Sequence, residues 1–229
     1  MDVICISDTH LTKPDLPEGD VLVHAGDMCR GGDSDEFHEG MQWLGTQPHP
    51  IKIFVPGNHD RFAMDFTASA RNLCEKYGIT MLIDEGITIH GIRFHGSPWT
   101  RSFGNTRAFM VDEDLLTAKF DVMPRCDFLI THSPPAAIFD EVDGIPVGSA
   151  GLITYLERVK PSVHVFGHIH VGHGKVMRHN HLDGRQTLLA NVCMVDKHRV
   201  PVKYPALLLE LKSYDGGITI VDRRPGWLD

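Results

Sequence analysis

Five apolar, strand-like runs in this chain each end on a short polar cluster, which commits much of its length to sheets whose strand ends carry the chemistry. Val3-Ile4-Cys5-Ile6 precedes Asp8-x-His10, Val21-Leu22-Val23 precedes Gly26-Asp27, and Ile53-Phe54-Val55 precedes Gly57-Asn58-His59-Asp60. Further on, Phe128-Leu129-Ile130 precedes Thr131-His132, and Val163-His164-Val165-Phe166 precedes Gly167-His168-Ile169-His170. Open α/β sheets bind ligands just outside the carboxyl ends of their strands, so the five clusters are expected to converge on one composite site. Taken singly, each has a plain explanation. Asp8-Thr9-His10 reads as an Asx-type turn and Gly57-Asn58 as a turn dipeptide, while His132 can cap a strand and His168 and His170 can face a solvated edge. Five in order, each at the same end of a run, are what an active site demands.

Helices are expected between the runs. Asp33-Ser34 offers an N-cap, after which Phe37, Met41 and Leu44 recur at helical spacing until Gly45. Phe66, Ala70, Leu73 and Tyr77 form a second stripe ended by Gly78. Leu152, Tyr155, Leu156 and Val159 form another, ended by Pro161, and Asp112 to Phe120 is a shorter one. Additional strand-like runs span 81–83, 87–90, 92–95, 187–190, 206–211 and 218–221, several joined by Gly turns such as His90-Gly91 and Asp215-Gly216-Gly217. Early alternation followed by successive strands predicts mixed sheets covered by helices, a two-sheet α/β sandwich rather than a purely doubly wound parallel sheet. No linker, low-complexity segment or repeat divides residues 1–229, so one domain is expected.

A formal net charge of −8 argues against a broad nucleic-acid surface, because duplex affinity needs Lys and Arg to neutralise phosphates. A small phosphate-ester substrate fits, since metal ions can meet its charge at one spot. The chain enters a strand at once, without a signal-peptide pattern or a long apolar stretch, so no membrane association is expected. Five cysteines without C-x-x-C spacing suit a reducing cytoplasm. The sequence assigns no oligomeric state. Among fifteen dispersed histidines, His38, His49, His179, His181 and His198 lie in polar or turn-like surroundings and are expected to have no chemical role.

The clustered residues suit metal ions. Asp8 and His10, two apart on an extended segment, can point the same way. Asp27 can place one oxygen on each of two cations about 3.5–4 Å apart, the spacing of two-metal hydrolases. Asn58, His132 and His168 can complete one cation, and Asp8, His10 and His170 the other. Mixed nitrogen and oxygen ligation favours Mn²⁺, Fe, Zn²⁺ or Co²⁺ over Ca²⁺ or Mg²⁺.

Together these motifs resemble the calcineurin-like metallophosphoesterase superfamily. Gly96-Ser97-Pro98-Trp99-Thr100, Thr131-His132-Ser133-Pro134-Pro135 and Phe166-Gly167-His168-Ile169-His170 look like its metallophosphoesterase-domain-containing phosphodiesterase subgroup. The resemblance implies a four-layer αββα sandwich, two mixed β-sheets flanked by helices, with two divalent metal ions, Mn²⁺ foremost. It carries Asp8, His10, Asp27 and His170 over to one metal and Asp27, Asn58, His132 and His168 to the other. Some subgroup members have Gly in place of His168, whereas this chain keeps the ligand.

The implied activity is hydrolysis of small phosphodiesters, cyclic nucleotides included, by a metal-activated water. His59 is implied as proton donor or transition-state stabiliser, and His59 and Asn58 as substrate contacts. Asp60 would orient the His59 imidazole or raise its pKa, or else cap a helix. Trp99 would stack on a nucleobase from a loop over the cleft, or else belong to the interior. Arg30 and Arg101 would contact phosphate or remain solvated charges. A phosphoprotein phosphatase or a nuclease is the alternative within the superfamily. A non-catalytic scaffold would be expected to have lost ligands or His59, and this chain retains them.

Overall fold

Alternate residues of the first strand, β1 (Asp2–Ile6), serve two different cores. Val3 and Cys5 pack into a cluster between two sheets, while Ile4 and Ile6 pack outward against helices. That split follows from the two-residue period of a strand, and it explains why the run is apolar throughout. The computed structural model describes residues 1–103, 107–202, 206–214 and 217–223.

After β1 come β2 (Val21–His24), α1 (Ser34–Thr46), β3 (Ile51–Phe54), α2 (Arg61–Asp65), α3 (Thr67–Lys76) and β4 (Thr80–Met81). The chain continues through β5 (Glu85–Ile89), β6 (Ile92–Ser97), the short β7 (Thr100–Arg101) and β8 (Met110–Val111), then α4 (Glu113–Val122) and β9 (Phe128–Thr131). A small ribbon, β10 (Glu141–Val142) and β11 (Ile145–Pro146), leads into α5 (Ala150–Val159) and β12 (Val163–Phe166). A 3₁₀ turn over His170–Gly172 precedes β13 (Val176–Asn180), β14 (Gln186–Asn191), β15 (Leu207–Tyr214) and β16 (Gly217–Asp222).

Two six-stranded mixed sheets result. The first has the order β16-β15-β1-β2-β3-β4, parallel from β1 to β4 and antiparallel at β15 and β16. The second has the order β13-β14-β12-β9-β6-β5, with a parallel centre and antiparallel edges at β13 and β5. Val23 and Ile53 meet Ile130 and Val165 in the core between the sheets. Phe37, Met41, Ala70 and Cys74 of α1 and α3 cover the outer face of the first sheet, and Phe120, Leu152, Tyr155 and Leu156 of α4 and α5 cover the second. The expected four-layer αββα sandwich is thus the observed architecture.

Local signals set the helix starts. Asp33 accepts hydrogen bonds from the N–H groups of Asp35 and Glu36, Asp112 from Leu115, and Ser149 from Leu152, each such cap contributing about 1 kcal/mol. Three expectations need correction. The helix α1 runs one residue past Gly45, whose lack of a side chain admits the Tyr77 ring. Phe66 does not begin the buried stripe of α3: the backbone breaks there between α2 and α3, leaving its side chain 60% exposed. His49 and His181 are buried rather than set in polar surroundings, the former bonded to the Pro17 carbonyl. Asp215 and Gly216 of the expected turn between β15 and β16 lie outside the described residues.

Candidate metal centre

The loops leaving β1, β2 and β12 turn abruptly, and the residues at those turns are the expected ligands. Asp8, His10, Asp27 and His168 all have positive φ, at 51°, 44°, 58° and 67°. For non-glycine residues this region is uncommon, and such strain persists where the surrounding structure enforces it, typically at functional sites. Glycines of the same motifs make the necessary space. A Cβ on Gly57 would lie 2.4 Å from Asp27 Oδ1, one on Gly167 2.1 Å from Asp8 Oδ2, and one on Gly26 2.4 Å from His132 Nδ1.

Two groups of metal-competent atoms result, Asp8 with His10 and His170, and Asp27 with His132 and His168, the atoms of each lying within 4.8 Å of one another. Tautomers can be assigned in both. His10 Nδ1 lies 2.7 Å from the Cys29 carbonyl, which can only accept, so the proton is on Nδ1 and the Nε2 lone pair faces His170 Nε2 at 3.4 Å. His170 Nε2 is 3.1 Å from Asp8 Oδ1. His132 Nδ1 likewise donates to the Ala25 carbonyl at 3.0 Å, which aims Nε2 at Asn58 Oδ1 (3.0 Å) and Asp27 Oδ1 (3.3 Å). Lone pairs converging at hydrogen-bond distance need either a shared proton or a cation between them. Carbonyl partners behind ligating imidazoles are the usual outer support of metal sites.

The charge pattern fits the same reading. Burial opposes ionisation of Asp8, yet the hydrogen bond from His170 and the nearby His132 and His10 hold its carboxyl well below the ordinary range. Burial also disfavours a charged His132, but Asp27 and Asp8 outweigh it and raise that imidazole to about 9. Two buried carboxylates therefore recruit a proton onto a buried ring, the place a metal cation would take. Oxygen and imidazole donors in this mixture suit a borderline divalent ion.

His59 sits beside both groups. Its main-chain N–H donates to Asp27 Oδ1 at 2.7 Å, its ring Nε2 lies 4.0 Å from Asp27 Oδ2, and its ring centroid is 4.9 Å from that of His10. Nδ1 donates to the Arg30 carbonyl in a short hydrogen bond; Arg107 Nη1 stands 2.8 Å from both ring nitrogens, of which Nε2 is the one left to accept, and Arg199 stands 3.2 Å from Nε2. Burial lowers the His59 pKa, with Asp27 acting against it. Arg107 and Arg199 are site residues that sequence reading missed, since neither lies in a motif and only folding brings them to His59. Ser7 and Cys193 were also missed. Both donate to Asp8 Oδ2, at 2.6 and 3.1 Å. Of the expected phosphate contacts, Arg30 is tied to the His10 carbonyl at 2.9 Å, and Arg101 lines a surface pocket shared with Phe103 and His168.

Two expectations change. The Asp60 carboxylate does not orient the His59 ring and does not cap α2. Fully buried, it accepts from the N–H groups of Asp27 (2.9 Å), Cys29 (2.9 Å) and Gly57 (2.8 Å), binding together the loops that carry the ligands. Of the two readings of Trp99, the interior one fits its contacts, for the ring packs against two core clusters. Its Nε1 donates to Asp84 at 2.6 Å, Phe109 packs edge-on at 5.4 Å, and Lys119 sits 3.7 Å above the ring. The aromatic beside the metal-competent atoms is Phe103, 48% exposed, with its ring centroid 5.6 Å from that of His168.

Comparison with known proteins agrees with this architecture. The chain is 34% identical over 233 residues to human "Metallophosphoesterase domain-containing protein 1", covering 90% of this chain and 69% of that protein. It is 35% identical over 189 residues to "Probable rhamnogalacturonate lyase C" of Emericella nidulans, covering 76% of this chain but spanning only 17% of that protein's length. Among solved structures, TT1561 of Thermus thermophilus shares the fold with a TM-score of 0.55 at 11% identity, over 83% of this chain and 89% of that one. Among the described residues no helix is long and apolar enough to cross a membrane. The family model described as calcineurin-like phosphoesterase matches residues 1–172, three-quarters of the chain and all five strand-end clusters, and the chain belongs to that family.

Proposed function

We propose that the protein is a dinuclear metal-dependent phosphoesterase acting on small phosphodiesters, with cyclic nucleotides within its substrate class. The reading rests on one observation above others: two sets of converging metal-competent atoms, one of them containing Asp27, with His59 and two guanidinium groups beside them. Asp8, His10, Asp27 and His170 would hold one divalent ion, and Asp27, Asn58, His132 and His168 the other, with Mn²⁺ the first candidate. When bound, such ions polarise a phosphoryl oxygen and supply an activated water.

The chain's own residues do the rest. Arg107 and Arg199 carry the positive charge that receives the non-bridging oxygens of the ester. Their N–H groups lie against the His59 ring, with Nε2 as the acceptor. Once the guanidinium groups turn to phosphate, Nε2 is free to take the proton that the attacking water loses and to pass it to the departing alkoxide. Asn58 reaches the same space through its side-chain amide, and Asp60 keeps the Asp27 loop in place from behind.

The test is to strip the protein of metal, add Mn²⁺, and measure turnover of cyclic nucleotides, aryl phosphodiesters, phosphomonoesters and phosphopeptides. Diester hydrolysis above monoester and phosphopeptide hydrolysis is expected. Preferential phosphopeptide turnover would replace this reading with a phosphoprotein phosphatase.

A further inference from the structure

Glu157, His179 and His181 form a third group of metal-competent atoms, which none of the five strand-end clusters supplies. It lies at the opposite end of the second sheet from the centre described above. His179 pairs with Thr187 in the β13–β14 ladder, and the neighbouring Leu188 pairs with Val163, the first residue of β12, whereas His168 follows the last. His179 and His181 are two apart on an extended edge segment and so share a side. The helix α5 brings Glu157 over them, with Oε1 2.5 Å from His179 Nε2 and Oε2 3.0 Å from His181 Nδ1. The two rings are 4.8 Å apart at 78°, so their nitrogens approach the carboxylate from different directions.

Hydrogen bonding behind His181 fixes which nitrogen is available. Thr187 Oγ1 has one proton and donates it to the Pro161 carbonyl at 2.6 Å. It can therefore only accept from His181 Nε2, 2.8 Å away, which places the ring proton on Nε2 and the lone pair of the neutral ring on Nδ1, toward Glu157. An imidazole held by a buried partner on one nitrogen and facing a carboxylate on the other is the arrangement that outer partners impose on metal-bound histidines. Burial is graded across the group, from a His181 side chain at 0% exposure to a Glu157 side chain at 45%, so the inner ligand is rigid while water can reach the outer one.

We propose that Glu157, His179 and His181 bind a divalent cation of the Zn²⁺ type. Two imidazoles and one carboxylate form a three-ligand set that zinc accepts, with water in the remaining position, and imidazole disfavours Mg²⁺ and Ca²⁺. The cation would tie the outer helix α5 to the edge strand β13, a strand that among the described residues is otherwise paired on one side only.

The experiment is Zn²⁺ binding to the chelator-stripped full chain, counted by equilibrium dialysis with metal analysis, for the wild type, His179→Ala and Glu157→Gln. Both substituted side chains reach solvent, so neither variant empties the core. Each variant is expected to bind one ion fewer than the wild type, whatever number the strand-end centre takes up, with Mn²⁺-supported activity unchanged. Saturation at about a hundredfold over the dissociation constant should raise the wild-type melting temperature by about 5–10 °C more than that of either variant. Thr187→Val, which keeps the shape but removes the acceptor, should weaken that ion's affinity about 10–100-fold. Equal ion counts in all three proteins would overturn the site, and an unchanged affinity in Thr187→Val would overturn Nδ1 of His181 as a ligand atom.

Discussion

The Asp60 carboxylate accepts the main-chain N–H of Asp27 at 2.9 Å and that of Gly57 at 2.8 Å through the same oxygen, while its other oxygen takes Cys29 N–H at 2.9 Å. One side chain of the third motif thereby fixes the backbone of the second. The proposed bridging carboxylate of Asp27 is positioned by this clamp and by the His59 N–H on its own Oδ1.

Replacing Asp60 by Asn should expose that dependence. An amide keeps the shape but offers N–H₂ on one side, so either orientation leaves at least one buried backbone N–H facing a donor, at a cost of about 1–3 kcal/mol. A lower denaturation midpoint is expected, with weaker metal retention and a turnover loss that is the same for good and poor leaving groups. A loss confined to poor leaving groups at unchanged stability would instead return Asp60 to the chemistry.

Asp27→Asn should abolish nearly all activity and release metal, because one carboxylate is assigned to both ions and its charge helps hold them together. Metal analysis after gel filtration, alongside turnover with added Mn²⁺, decides the matter. Two tightly held ions with normal turnover would remove Asp27 from the bridging role.

Trp99→Ala should destabilise the fold by about 1–3 kcal/mol, since the ring is packed between Phe109 and Lys119 and bonded to Asp84. It should not change the preference between substrates with and without a nucleobase. Phe103→Ala should do the reverse, leaving the melting temperature nearly unchanged and raising KM for nucleotide diesters, as loss of a stacking surface worth about 1–3 kcal/mol per base would. Denaturation curves and paired KM values for a nucleotide diester and a bis-aryl phosphate separate the two residues.

What could be read from the sequence was whatever is local. The run Val3 to Ile6 and its four counterparts announced strands because apolar residues there serve two faces, and Asp33 and Asp112 mark helix starts that the structure uses as caps, whereas the Ser149 cap was not read. The ligand candidates were legible for the same reason: each stands within a few residues of a strand end, and strand ends converge. Arg107, Arg199 and Cys193 carry no such marker, because their nearness to the site depends on how distant loops fold back. The edge strand β13 was missed because its exposed face is polar, and Val-Met-Arg-His-Asn gives no apolar run. Trp99 stayed open for a different reason. A tryptophan beside Ser97-Pro98 reads equally as a loop platform or as packing, and only its contacts with Asp84, Phe109 and Lys119 distinguish them.

His59 offers the most discriminating test, because it lies against both groups of metal-competent atoms while its own ring nitrogens are bonded to the Arg30 carbonyl and to two guanidinium groups. Its replacement by Ala should leave metal content nearly unchanged. Turnover should fall about 10²–10⁴-fold where the leaving group needs a proton, the usual worth of general-acid help. A ribose alkoxide needs that proton, and p-nitrophenolate departs without it, so the loss should be far larger for a nucleotide diester than for a nitrophenyl diester. If His59 acts only after Arg107 and Arg199 turn to phosphate, Arg107→Ala should lower activity on both esters, while His59→Ala discriminates between them. Equal slowing of both esters by His59→Ala would make the ring an electrostatic contact to phosphate, and loss of a metal ion would make it a ligand.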